Sequence, residues 1–329
     1  MFRIGRRLSG LLLSAALVAM VSASVSAQTY PSQPIRFVVG FSPGSATDLV
    51  ARYLAEDIRQ RLGQPIVVEN RAGANGSIAA TMVARAPPDG YTILISNAST
   101  MTTNHLLYKD IKYDPLVDLT PVALVVSAPF ILVINPENPK TKSVTNFADF
   151  VKLAKSKPDL INYGSGGVGN LAHLSSELLG ATIGARMVHV PYPGAAPAQA
   201  ALLSGEVDAV FDVPNGVPLI KSGRLKALAV TTPVRWRDLP DVPTVAESGY
   251  PAYVTSFWTG VVAPAKTPRP VIDTLYKAVA AATEDAKTRA LLLTQGNIDV
   301  IDGAAFRQKI AHEGELNAEV LKKAGIDKQ

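Results

Sequence analysis

The chain has 329 residues, with 32 basic and 27 acidic side chains, a formal net charge of +5 and no cysteine. The lack of cysteine excludes disulfides, thiolate metal ligands and a lipid-modified cysteine. No basic cluster interleaved with aromatic residues is present, which argues against a nucleic-acid-binding protein.

The first 27 residues predict a signal peptide. Three arginines precede an apolar run from Leu8 to Val21, and Val25-Ser26-Ala27 places small residues where a signal peptidase reads. We therefore predict general secretory export to the periplasm with cleavage after Ala27; a retained anchor is the alternative. Cleavage removes three arginines and no acid, which leaves 302 residues with 29 basic and 27 acidic side chains and a net charge of +2.

Strands and helices alternate along the rest of the chain. Hydrophobic patterning predicts strands over 35–39, 65–69 and 91–96 and helices over 47–62 and 77–86. The same order recurs with strands over 160–163, 186–190 and 207–213 and helices over 171–179 and 195–203. A β-α-β-α-β order is typical of a parallel sheet covered by helices, so we predict an α/β protein with two such lobes.

Two crossings between the lobes are expected. Predicted strands over 122–126 and 130–134 flank Ser127-Ala128-Pro129, and a further strand over 257–262 follows Tyr250-Pro251. These strands would form a two-strand hinge near Ala128 and Ser256, and the amphipathic segment from Pro270 would pack back on the first lobe. The predicted domains are a signal peptide over 1–27, a first lobe over 28–127 plus 256–329, and a second lobe over 128–255.

The turn after the first strand predicts an anion site. Between Phe41 and Asp48 it places backbone N–H groups and the positive end of a helix dipole at one point. The turn holds no lysine or arginine, so the backbone would do the binding. Ser45-Ala46-Thr47-Asp48 also fits a capping box, and on that alternative Ser45 and Asp48 only satisfy helix N–H groups.

A second glycine-rich turn, over 164–169, matches G-x-G-x-x-G between a strand and a helix. A dinucleotide site needs an acid at the end of the next strand, but that strand ends in His189-Val190-Pro191-Tyr192. A small-anion loop is therefore favoured. His173, early in the following helix, is either a ligand contact or a surface or interlobe histidine.

Small polar residues follow two further strands. Asn97-Ala98-Ser99-Thr100 and Tyr192-Pro193-Gly194-Ala195 lie where ligands meet parallel sheets, at the carboxyl ends of strands. Such residues suit a carboxylate or a ligand hydroxyl, and they are also ordinary helix starts. No G-x-S-x-G elbow, P-loop lysine or metal-ligand spacing among the four histidines is present. We predict no catalytic residue, metal or cofactor.

Eight segments together resemble the Bug-type solute-binding proteins of tripartite tricarboxylate transporters. They are YPSQPIR (30–36), PGSATD (43–48), VENRAGA (68–74), DGYT (89–92), YGSGGVG (163–169), VPYPG (190–194), LPDVPT (239–244) and WTGVVAP (258–264). The chain departs from the family pattern at Gly40, where proline is common, and at Ser45 and near Asn75, where glycine is usual. Ser45 therefore puts the ligand size in question.

The resemblance implies a monomeric, two-lobed periplasmic binding protein that closes by a hinge around a small carboxylate. The ligand would be a dicarboxylate or an aromatic acid, presented to two membrane subunits; few cleft aromatics, Phe41 and Tyr192, favour aliphatic acids. A ligand-loaded sensor and, less favoured, an exported enzyme acting on a small organic acid are the alternatives. The implied ligand-binding residues are Phe41, Ser42, Gly44, Ser45, Ala46, Thr47, Asp48, Asn97, Ala98, Ser99, Thr100, Ser165, Gly166, Gly167, Val168, Gly169, His173, Tyr192, Pro193, Gly194, Ala195 and Asp212.

Overall fold

A computed structural model of the protein describes residues 30–324 and Lys328. The predicted signal peptide and its cleavage after Ala27 lie outside the described residues. The chain divides into two units, residues 1–32 and residues 33–329, and the fold that follows belongs to the second unit.

Eleven strands and eleven helices make up the described part of this unit. The strands are β1 (Ile35–Val39), β2 (Ile66–Asn70), β3 (Thr92–Asn97), β4 (Leu119–Ala128), β5 (Ile131–Ile134), β6 (Asn162–Ser165), β7 (Val188–Pro191), β8 (Ala209–Asp212), β9 (Lys226–Val230), β10 (Phe257–Pro264) and β11 (Asn297–Asp302). The helices are α1 (Ala46–Leu62), α2 (Ser77–Ala84), α3 (Ala98–Thr102), α4 (Asn104–Leu107), α5 (Phe147–Ser156), α6 (Leu171–Ile183), α7 (Ala195–Ser204), α8 (Val217–Lys221), α9 (Arg269–Glu284), α10 (Ala286–Leu292) and α11 (Gly303–Ala324). Short 3-10 turns precede α2 and α8, over Ala74–Gly76 and Pro214–Gly216.

The first sheet has six strands in the order β11-β4-β10-β3-β1-β2. Strand β1 pairs in parallel with both β2 and β3, whereas β10 and β11 run antiparallel to their neighbours. Ile35, Phe37, Val38 and Val39 of β1 are fully buried because helices cover both faces of a central parallel strand. The carboxyl ends of β1, β2 and β3 therefore meet at one edge of the sheet.

The second sheet has five strands in the order β7-β6-β8-β5-β9. Strand β6 pairs in parallel with β7 and β8, whereas β5 runs antiparallel to β8 and β9. Here too the carboxyl ends of three parallel strands share an edge. We call each sheet with its helices a lobe. The two-lobed α/β class is thus confirmed, but both sheets are mixed rather than mostly parallel.

The chain crosses between the sheets where strands β4 and β10 end and begin. Ala128 and Phe257 are register partners there, and Phe130 donates its N–H to Thr231 Oγ1 at 2.9 Å. Thr231 Oγ1 in turn donates to the carbonyl of Thr255 at 2.7 Å, so the outgoing and returning segments are held together. The exact lobe boundaries, 28–127 plus 256–329 and 128–255, remain a prediction.

The C-terminal part of the chain was predicted only in part. Helix α9 packs against α1 and β4, as expected for a segment that returns to the first lobe. The expected continuous helical segment is interrupted, however, by β11, an edge strand that pairs with β4. Helix α5 and strand β9 were also missed by the sequence analysis. In strand β11 the β-branched Ile and Val residues favour a strand and the Asn and Asp residues do not, so pairing with the distant β4 decides for the extended form.

Candidate functional site

One cavity of about 730 Å³ lies where the strand ends of the two sheets face each other. Its first-lobe wall comes from the loops after β1, β2 and β3, and its second-lobe wall from the loops after β6, β7 and β8. The volume falls within the range of about 300–1,000 Å³ that is usual for small-molecule sites. The parallel strand order on each side therefore positions most of the lining.

Most of the sequence-predicted site residues line this cavity. They are Phe41, Ser42, Gly44, Ser45, Ala46, Thr47, Asn97, Ser99, Ser165, Gly166, Gly167, Val168, Tyr192, Pro193, Gly194, Ala195 and Asp212. Five predicted residues are outside the lining, namely Asp48, Ala98, Thr100, Gly169 and His173. All five are buried. Asp48, Thr100 and His173 form hydrogen bonds with residues that line the cavity, Gly169 packs against Leu107, and Ala98 belongs to the hydrophobic core.

The first turn is held by its own side chains. Asp48 is buried, and its Oδ2 accepts hydrogen bonds from Gly44 N at 2.8 Å and Arg52 Nε at 2.9 Å, while Oδ1 accepts from Asn70 Nδ2 at 2.8 Å. Burial would raise the pKa of Asp48, but these hydrogen bonds outweigh it and hold that pKa below its usual value. Ser45 Oγ accepts from Asp48 N at 3.3 Å. Ser45 and Asp48 therefore act as the capping alternative predicts. The N–H of Gly44 is not available to a ligand, because it donates to Asp48.

Backbone donors remain at the start of three helices. Within residues 30–324 no acceptor takes the N–H groups of Ala46 and Thr47, the first of helix α1. The first residues of α6 and α7, including Ala172 and Ala195, also line the cavity. The positive ends of three helix dipoles thus point at the same space, which favours an anion there.

Glycines let the loops after β1 and β2 approach each other. A Cβ on Gly40 would lie 2.6 Å from the Cα of Gly76, and a Cβ on Gly76 would lie 2.4 Å from Thr100 Oγ1. Next to them Asn75 and Asn104 exchange side-chain hydrogen bonds: Asn75 Nδ2 donates to Asn104 Oδ1 at 2.9 Å, and Asn104 Nδ2 donates to the Asn75 carbonyl at 2.8 Å. Asn75 lines the cavity, and sequence reasoning missed it.

Two stacked histidines, the buried His173 and the half-buried His189, support the glycine-rich loop after β6. His173 Nδ1 accepts from Gly169 N at 3.0 Å, and its ring stacks on His189 at 3.8 Å between centroids. His189 Nε2 lies 2.6 Å from Ser165 Oγ, which accepts from Gly167 N at 3.2 Å and donates to the Gly167 carbonyl at 3.0 Å. His173 therefore acts behind the loop, rather than in the cavity.

Burial keeps both rings neutral near pH 7. It lowers the pKa of His173 to about 3, with a smaller effect from His189, and the pKa of His189 to about 4. Tyr163 stacks on His189 and donates its hydroxyl to Glu177. Burial, together with that carboxylate, raises the pKa of Tyr163. The loop thus rests on a neutral aromatic stack.

Asp212 is the one charged side chain among the described residues that line the cavity. It ends strand β8 and is only 5% exposed. Its Oδ1 accepts from Val213 N at 2.9 Å and its Oδ2 from Gln199 Nε2 at 2.6 Å. Burial raises the pKa of Asp212, and the two hydrogen bonds only partly oppose it.

The apolar part of the wall is more aromatic than the sequence suggested. Besides Phe41 and Tyr192, the lining includes four aromatic residues that sequence reasoning missed: Tyr108, Phe130, Phe211 and Phe257. Phe130 lies edge-on to Phe211 at 6.3 Å and to Phe257 at 6.4 Å between ring centroids. The expectation of few cleft aromatics is wrong, and with it the argument for aliphatic acids. The rings come from four separate places in the chain: the residue after α4, the crossing segment, strand β8 and the returning strand β10. No local motif could therefore have indicated them.

The sequence matches the family described as tripartite tricarboxylate transporter family receptor over residues 50–326. The chain belongs to this family. It is 38% identical to protein BugT of Bordetella pertussis, over 86% of each chain. A solved R. palustris protein with adipate is 34% identical, with a TM-score of 0.84 over 91% of this chain and 100% of that one. MatC from Rhodopseudomonas palustris with bound malate is 32% identical, with a TM-score of 0.78 over 89% and 100%.

This receptor is therefore a solute-binding protein of the Bug type, a class with periplasmic members. In its described residues no group of three or more histidines and acids could hold a metal ion. Across residues 30–324 no helix combines the length and apolar character needed to cross a bilayer.

Proposed function

We propose that the protein captures a small carboxylate, including dicarboxylates and aromatic acids, in the cavity between its lobes for a tripartite tricarboxylate transporter. The observation that carries the proposal is the convergence of three helix N-termini on the cavity, with uncommitted N–H groups at Ala46 and Thr47. The described lining residues include no lysine or arginine. The solved relatives with adipate and malate support the same ligand class.

The proposal also covers the export, processing and partners of the protein. The chain would be exported, cleaved after Ala27 and act as a free periplasmic monomer that presents its ligand to two membrane subunits. It would bind its ligand without covalent chemistry. N-terminal sequencing of the mature protein from a periplasmic extract tests the cleavage site directly; a first residue other than Gln28 contradicts it.

A thermal-shift screen of organic acids tests the ligand class. A carboxylate at about 100 times its Kd should stabilise the protein by about 2.7 kcal/mol and raise Tm by about 5 °C. Neutral sugars serve as the comparison set. If a sugar raised Tm and no carboxylate did, the proposed function would be wrong.

A proline variant tests the backbone donors. Ala46 is the first residue of α1 and follows an extended Ser45, so Ala46→Pro should keep the helix while it removes one N–H from the cavity. Ala286→Pro is the matched control, because Ala286 is the first residue of α10 after an extended Asp285 and is outside the cavity lining. We expect at least tenfold weaker carboxylate binding for Ala46→Pro and unchanged binding for Ala286→Pro.

A further inference from the structure

We propose that Asp212 selects, at its end of the cavity, for a ligand that brings a hydrogen-bond donor, and against a bare second carboxylate. The preferred ligand would carry one carboxylate for the helix N-termini and a hydroxyl or ammonium group for Asp212. This inference rests on the proposed function and names the ligand class of the same site.

The position of the Asp212 carboxylate is built into the fold. A Cβ on Gly216 would lie 2.0 Å from Asp212 Oδ2, so only glycine leaves room for the carboxylate there. Gln199 from α7 and the N–H of Val213 each donate one hydrogen bond to it. The carboxylate is therefore enclosed by helix α7 and by the turn that follows its own strand, β8.

Asp212 lines the cavity, and its hydrogen bonds within the protein leave acceptor capacity unused. An ionised carboxylate offers about four acceptor sites, and two protein donors occupy one on each oxygen. No cation compensates the charge: the lining residues that the structure describes include no lysine, arginine or histidine. A buried carboxylate in that situation is stabilised by any further donor that a ligand supplies.

A second carboxylate on the ligand would be destabilised next to Asp212. Two ionised carboxylates in one poorly solvated site repel each other, and one of them must take up a proton before both can remain. A hydroxyl or ammonium group has no such cost, and it adds a charge-assisted hydrogen bond. The phenylalanines that line the cavity, Phe130, Phe211 and Phe257, contribute no charge that would change this balance.

A matched ligand series tests the inference at pH 7.5 by calorimetry. At each chain length from four to six carbons, the plain acid, the ω-hydroxy acid, the ω-amino acid and the dicarboxylate are compared on wild-type protein and on Asp212→Asn. We expect the best ω-hydroxy or ω-amino acid to bind wild-type protein at least about tenfold more tightly than the dicarboxylate of equal length. In Asp212→Asn this preference should fall by about tenfold.

The inference is overturned if a dicarboxylate binds wild-type protein as tightly as its ω-hydroxy and ω-amino counterparts, or if Asp212→Asn leaves the ratio unchanged. It is equally overturned if wild-type protein binds none of the ω-hydroxy or ω-amino acids while the organic-acid screen has found another carboxylate. In each of these cases the proposed function survives. Failure of every carboxylate in the screen is instead a failure of the proposed function.

Discussion

Asp48 Oδ2 accepts the N–H of Gly44 at 2.8 Å, across the turn that leads from β1 into α1. The carboxylate that interacts with this helix start is thus the protein's own Asp48, and it stabilises the turn from the side away from the cavity. A ligand carboxylate is left with the N–H groups that follow, at Ala46 and Thr47.

Replacement of Asp48 should therefore affect stability more than ligand binding. Asp48→Asn loses charge-assisted hydrogen bonds from Arg52 and Gly44, and we expect the free energy of unfolding to fall by about 2 kcal/mol. Urea denaturation measures this change. Glu56→Gln, in an exposed pair with Arg59 on the same helix, should leave stability unchanged. An Asp48→Asn protein as stable as wild type would contradict the supporting role.

Gly169 should tolerate no side chain because it packs against the other lobe. Its φ is +75°, and a Cβ would lie 2.1 Å from Leu107 Cδ1. Gly184 is the control for the backbone conformation, because its φ is +67° and a Cβ there would have nothing within 4 Å. Gly184→Ala should lower the free energy of unfolding by about 1–2 kcal/mol, and Gly169→Ala by clearly more.

A double-mutant cycle separates the clash from general damage at Gly169. Leu107→Ala removes the side chain that the new methyl group would meet, at a cost of about 2–5 kcal/mol of its own. In that background Gly169→Ala should cost no more than Gly184→Ala. Additive losses of unfolding free energy would show that Leu107 is not the group that excludes a side chain.

The histidine stack should make the protein acid-sensitive well above pH 4. Folding lowers the pKa of His173 to about 3 and of His189 to about 4, so the unfolded chain takes up protons first as the pH falls below about 6.5. The contribution of the two neutral histidines to the free energy of unfolding is complete above about pH 6.5 and is lost as the pH falls below it. At pH 5 we expect a loss on the order of 2 kcal/mol per histidine relative to pH 7.5.

Glutamine variants test this pH dependence. In His173→Gln and His189→Gln the difference in unfolding free energy between pH 7.5 and pH 5 should shrink, whatever their stability at pH 7.5. His312→Gln, at an exposed position on α11, is the control and should keep the wild-type difference. The assignment fails if all three variants show the same pH profile as wild type.

Ser45 combines a capping role with a place in the cavity wall. Because glycine is a good N-cap and alanine a poor one, Ser45→Gly should cost only a few tenths of a kcal/mol and Ser45→Ala about 1 kcal/mol. Asn146→Ala, which removes the cap of α5 outside the cavity lining, should cost about the same as Ser45→Ala and leave ligand affinity unchanged.

Of these variants, only Ser45→Gly should change the ligand size that the cavity prefers. Loss of the hydroxymethyl group enlarges the cavity beside the first turn, so bulkier carboxylates should gain affinity relative to smaller ones in the thermal-shift series. An unchanged ranking of ligands in a stable Ser45→Gly protein would rule out Ser45 as a determinant of ligand size.

Several features of the site were predictable because they depend on local backbone geometry. The turn at Gly44 and the glycine-rich loop at Ser165 to Gly169 follow strands directly, and strand ends of a parallel sheet meet at one edge. The capping alternative at Ser45 and Asp48 was also visible in the spacing of the residues. These are contacts between neighbours in the chain, which a pattern of residue types can encode.

The sequence by itself determined the α/β class, the alternation of strands and helices, and the two turns that favour an anion. These features depend on secondary-structure propensity, helix capping and glycine conformation, which act over a few residues. Only the tertiary structure decided which groups share the cavity. It placed Phe130, Phe211 and Phe257 together, and moved Gly169 and His173 out of the lining. It also left Asp212 as a buried carboxylate without a cation, since burial and charge compensation depend on segments far apart in the chain.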